Sequence, residues 1–128
     1  MPLVTLTVAK PKSAEFKSGV LAAVHQALVA SGVPQTDRFQ RVFELEPENF
    51  RYDASYPDLT SARDENFVLI EVLFSEGRNV KVKKKIVADT LAALTTAPLS
   101  LNAENVMIAF KETRWENWSF GGGRFLHV

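Results

Sequence analysis

The chain has 128 residues, enough to bury a core without staples. Fifteen Lys and Arg balance fifteen Asp and Glu, which argues against general nucleic-acid binding or a role on anionic membranes. Cysteine is absent, which excludes a disulfide framework, a thiol nucleophile and a thiolate metal site.

The chain opens "MPLVTLTVAK". Leu3 to Val8 alternates, with Val4, Leu6 and Val8 on one face, and predicts a strand with one face on a core. Pro2 heads that strand, where its missing N–H donor costs little. Pro11 and Ser13 announce a helix, and Glu15 favours its positive end. Phe16, Val20, Val24, Ala27 and Leu28 recur at helical spacing, and Gly32 ends the helix. "RFQRVFELE" predicts a second strand through Phe39, Val42, Phe43 and Leu45. The polar stretch "PENFRYDASYPDLTSARDE" predicts a long loop with room for a short strand.

"NFVLIEVLF" is almost continuously apolar and suits a central strand covered on both faces. "GRNVKVKKKIVADTLAALTT" predicts a helix begun by Arg78, with Val82, Ile86, Val87, Leu91 and Leu94 on one stripe and Pro98 closing it. "KVKKK" is read as its solvated face. "ENVMIAFKE" predicts the last strand, and the tail "TRWENWSFGGGRFLHV" is aromatic and glycine-rich.

The order is strand–helix–strand, loop, strand–helix–strand. The halves, approximately 2–60 and 66–128, repeat at an offset of roughly 65 residues within a single domain spanning 1–128. The expected class is α+β: two β-α-β units forming one four-stranded sheet, with right-handed crossovers and both helices on one face. The apolar residues on the other face of "NFVLIEVLF" then call for another subunit. No apolar run is long enough to span a bilayer, and no basic segment followed by an apolar stretch heads the chain, so a soluble cytoplasmic protein is expected.

Three pieces resemble the tautomerase superfamily, and within it malonate semialdehyde decarboxylase and proteins related to 4-oxalocrotonate tautomerase. They are Pro2 leading the first strand, "GVPQTDRFQ" from Gly32 to Gln40, and "ENWSFGGGR" from Glu116 to Arg124. The resemblance implies a homotrimer with an amino-terminal proline as catalyst and no cofactor. The decarboxylase subgroup has two arginines, separated by one residue, after the third strand. Arg78 matches the second of them, and Glu76 stands where the first would be.

The resemblance gives Pro2, Asp37 and Arg78 as catalytic residues. With Met1 removed, Pro2 carries a secondary amine. A simple α-amino group titrates near ~8, and burial or neighbouring cations lower that value. The amine then suits proton shuttling near neutrality; held protonated, it is an acid that polarises a carbonyl. Asp37 is either a turn aspartate or a carboxylate beside that nitrogen, orienting a carbonyl or a water. Arg78 has the planar fork that grips a carboxylate with two parallel hydrogen bonds. Trp118 and Phe120 are candidate pocket walls, and Arg124 is either a second anion contact or an interface residue. A trimer would lay the tail over a neighbour's sheet as an edge strand.

Arg38 is read as structural or as an intersubunit ion pair, Glu71 as paired across the trimer, and Glu76 as a partner of Arg78, a repeller of dianions or a solvated residue. His25 and His127 lack acidic partners at ligand spacing, so no metal is expected. The expected activity is cofactor-independent tautomerisation of a small oxo acid or its enol. The alternatives are decarboxylation or hydration of a 3-oxo acid, and a trimeric ligand-binding module without turnover.

Overall fold

A computed structural model describes residues 1–126. Strand β1 (Leu3–Ala9) is followed by helix α1 (Ala14–Ala30) and strand β2 (Phe39–Leu45). Strand β3 (Val68–Ser75), helix α2 (Val80–Leu94) and strand β4 (Val106–Thr113) repeat the order. The sheet runs β2-β1-β3-β4, with β1 parallel to β2, β3 parallel to β4, and the two central strands antiparallel. The class is the expected α+β arrangement.

Alternation along β1 and β3 decides which face is the core. Val4, Leu6 and Val8 interleave with Val68, Ile70, Val72 and Phe74, and all are buried beneath α1 and α2. Val20, Val24 and Leu28 of α1 and Ile86 and Leu94 of α2 complete that layer. Ser13 caps α1 by accepting from the Phe16 N–H, and Asn79 caps α2 by accepting from the Val82 N–H. Gly32, at φ +117°, ends the first helix in the left-handed region where a side chain is strained.

Four details differ from the sequence-based expectation. Helix α2 begins after Arg78, because Asn79 takes the cap. Its buried stripe is Ile86, Thr90 and Leu94; the Thr90 hydroxyl donates to the Ile86 carbonyl at 2.8 Å, so a polar residue is buried at no hydrogen-bond cost. The 46–67 loop contains a 3₁₀ turn at Pro47–Asn49 and no strand. Its polar side chains bond to local carbonyls and to the segment before β4, as when Asn105 Nδ2 donates to Asp64 Oδ1 at 2.8 Å. Glu71 pairs within the chain, at 2.9 Å from Lys111 Nζ on the adjacent strand.

The other sheet face is open. Phe39, Phe43 and Met107 are each close to half exposed there, beside Arg41 and the Glu71–Lys111 pair. Among the described residues no helix is long and apolar enough to cross a membrane.

Candidate active site

Sheet register gathers the candidate residues at one end of the fold. Leu3 is aligned with Phe39 of β2 and with Leu73 of β3. The residues preceding Leu3, those preceding Phe39 and those following Leu73 therefore converge. Ser75 is aligned with Thr113, so the tail leaves β4 at the same end. Met1–Pro2, Asp37, Arg78 and the aromatic tail are distant in sequence and become neighbours through this pairing.

At the centre is the amino terminus. The Met1 ammonium lies 2.5 Å from Asp37 Oδ2; the Met1 side chain is fully buried and that of Asp37 is 20% exposed. Pro2 is also buried, and in this form its nitrogen is an amide with no basicity. Met1 and Asp37 share a cavity of about 170 Å³ with Phe39, Trp115, Phe120 and Leu126. The walls are apolar apart from the ion pair, and Phe39, Phe120 and Leu126 are partly exposed, so the cavity opens to solvent at its rim.

Asp37 is held by the turn that leads from α1 to β2. Its backbone N–H donates to the Pro34 carbonyl at 3.0 Å. The buried His25 supports the same turn, with Nε2 2.9 Å from the Gln35 carbonyl oxygen. Nε2 is therefore the protonated nitrogen and donates. Arg38 is exposed and its Nε donates to Gln40 Oε1 at 3.2 Å, while Gln40 Nε2 donates to the Leu21 carbonyl at 2.8 Å. Arg38 thus has a local structural partner.

Arg78 is half-buried on the β3–α2 connection. Its Nη1 donates to the Ser75 carbonyl at 2.7 Å and to Ser75 Oγ at 3.2 Å, and Cζ sits 4.2 Å from the centre of the Phe74 ring. Burial lowers its pKa, while the Glu112 carboxylate and then Asp37 oppose that shift. A guanidinium remains charged under such conditions. The result is a partly desolvated cation, fixed in direction by Ser75 and Phe74, within electrostatic reach of Asp37. Glu112 is itself held below the usual carboxylate range, chiefly by its bond with Lys83, against some desolvation.

The tail folds back on its own sheet end. A 3₁₀ turn at Trp115–Asn117 leads into Trp118, which stacks on Phe120 with ring centres 5.6 Å apart; Phe120 in turn meets Phe39 at 5.7 Å. Phe120 is a wall of the cavity, and Trp118 backs it rather than lining it. Arg124 is not brought to the cavity. It closes a turn with Gly121, and its guanidinium packs over Gly122, where a β-carbon would come within 2.6 Å of Nη1. Among the described residues the tail forms this one bridge and no added strand. Glu76 pairs with Arg114 Nε at 3.5 Å, not with Arg78, and Glu116 lies 3.9 Å from Arg114 Nη1.

No sequence motif marks Phe39, Trp115 or Leu126 as a wall. Phe39 reads only as a strand residue until the β1–β2 register is known, and Leu126 has no motif around it. His127 lies outside the described residues. Among the described residues, no group of three or more His, Asp or Glu is placed to hold a metal ion. A larger groove of about 420 Å³ runs between Phe16 and Gly19 of α1 and Leu99, but it holds none of the candidate residues.

The model of the family described as "Tautomerase enzyme" matches residues 37–121, which include Asp37, Arg78 and Phe120. The chain is 27% identical to the probable tautomerase YusQ of Bacillus subtilis (strain 168) over 125 residues, covering 97% of this chain and 96% of that protein. Two solved malonate semialdehyde decarboxylases superpose with TM-scores of 0.85 and 0.86 at 29% and 26% identity. The superpositions cover 95% of this chain and 91% and 92% of those chains. A symmetric trimer of fused 4-OT shares the fold at 18% identity, with a TM-score of 0.70 over 96% of this chain and 94% of that one. With a family model that spans two-thirds of its length, the chain belongs to the tautomerase family.

Proposed function

We propose that the protein is a cofactor-independent tautomerase of a small oxo acid or its enol, using the amine of Pro2 as acid and base once Met1 has been removed. The observation that carries this is the ion pair between an amino terminus and Asp37 inside an apolar cavity, with Arg78 alongside. Loss of Met1 exposes a prolyl secondary amine one residue further along, and vacates the space that the methionine side chain fills. In this reading Arg78 grips the substrate carboxylate through its fork. Asp37 orients the carbonyl or a water, and the Pro2 nitrogen takes the enol proton and returns a proton to carbon. Phe39, Trp115 and Phe120 keep water from the amine.

Decarboxylation of a 3-oxo acid passes through a similar enolate, and hydration uses the same carboxylate to position a water. The likeness to malonate semialdehyde decarboxylases, one of them described with decarboxylase and hydratase activities, supports this second reading. A homotrimer is part of the proposal, supported by the open, partly apolar sheet face.

The deciding experiment is an NMR pH titration of the Pro2 nitrogen in protein lacking Met1. A value well below that of a free prolyl amine is expected, and fits a base. A raised value shifts the assignment to an acid and to the decarboxylase reading. Retention of Met1 in protein isolated from its native cell removes both.

A further inference from the structure

The strongest remaining feature is Met1 itself. Its side chain has no exposure, its ammonium is bound to Asp37, and the following Pro2 is buried as well. Strand pairing begins at Leu3, on both sides: with Phe39 and with Leu73. Met1 therefore hangs from a residue locked between two strands, with Phe39, Trp115 and Phe120 around it.

An aminopeptidase must grip the free α-ammonium, enclose the first side chain, and reach the carbonyl of residue 1. Water then adds to that carbonyl, the Met1 C–Pro2 N bond breaks, and free methionine leaves a chain headed by the prolyl amine. In the folded chain all three handles are occupied: the ammonium by Asp37, the thioether by burial of its side chain, and the peptide bond by burial of Met1 and Pro2.

We infer that Met1 is a self-sealing plug, whose excision has to precede folding of this end of the sheet. A chain that folds with Met1 attached keeps the methionine as one wall of the cavity, over Pro2, and keeps the Pro2 nitrogen acylated. The fraction of open sites is thus fixed during synthesis, by competition between trimming and folding. Asp37 has a second part here, as the latch that holds the unprocessed terminus. The inference is independent of the reaction run by the trimmed site, and its test involves no turnover.

The test uses the purified full chain bearing Met1, a methionine aminopeptidase as the probe, and intact mass as the readout. The reference is the unstructured peptide MPLVTLTVAK. Burial of the methionine side chain sets the cost of local opening, so trimming of the folded chain should be roughly 10- to 100-fold slower than that of the peptide. Asp37→Asn should be trimmed several-fold faster than the wild type, because the ammonium loses its partner. Trimming of the wild-type chain at a rate within about tenfold of the peptide's overturns the plug. An Asp37→Asn rate equal to that of the wild type removes the latch from the account.

Discussion

Arg78 has two of its binding groups committed before any substrate arrives. Nη1 is used by Ser75, and one face of the guanidinium is covered by Phe74. What remains is the other edge of the fork, and burial makes that edge a stronger partner for an anion than a solvated arginine would be. Arg78→Ala should therefore lower kcat/KM for carboxylate-bearing enols by roughly 10- to 100-fold, the worth of a charge-assisted hydrogen bond or a pair of them. Arg78→Lys should recover little, because a point charge cannot reproduce the fork or lie flat on Phe74. Steady-state kinetics with the enols of phenylpyruvate and of an uncharged aldehyde check this. Equal losses on both would remove the carboxylate-gripping role. The candidate residues were legible in the sequence through their motifs, but their partners were not. Glu76 was open between three fates, and its partner Arg114 comes from the far end of β4, through a strand register that no local pattern reveals.

The helices and strands were readable because each keeps one period. β1 alternates cleanly, and α1 repeats its apolar residues at three and four. The errors fall where a polar group takes over a structural task. Asn79 caps α2 and so places Arg78 outside the helix, and Thr90 is buried because its hydroxyl is satisfied within the helix. The tail has no period at all; its course is set by positive φ at Gly122 and Gly123 and by the stacking of Trp118, Phe120 and Phe39. The cap is open to test. Asn79→Ala removes the acceptor for the Val82 N–H and should cost about 0.5–2 kcal/mol in chemical denaturation. The connection bearing Arg78 ends at this cap, so its loss should also raise KM for carboxylate substrates more than it lowers kcat. An unchanged KM with reduced stability would mean that Arg78 is held by Ser75 and Phe74 alone.

At the scale of the molecule, the open sheet face is the feature that a single subunit leaves unexplained. β2 and β4 are the edge strands, with no further strand beside them among the described residues, a pairing liability that association removes. Phe39, Phe43 and Met107 stand close to half exposed on the face between them. Arg41 lies over Phe43 at 5.2 Å and donates to Thr5 Oγ1 at 3.1 Å, so the cation is already oriented along the sheet. A face of this kind, apolar with a few fixed charges, is suited to another copy of the same chain. The expected assembly is three chains, with a sedimentation mass three times that of the monomer. Phe43→Lys should dissociate it, by putting a second cation beside Arg41 where an apolar contact is needed. Because Phe43 is close to half exposed in the subunit, the fold should survive the change, with an unaltered far-UV circular dichroism spectrum. A wild-type chain that sediments as a monomer at working concentration would leave the aromatic face without its partner. A variant that stays trimeric would place the interface elsewhere on the sheet.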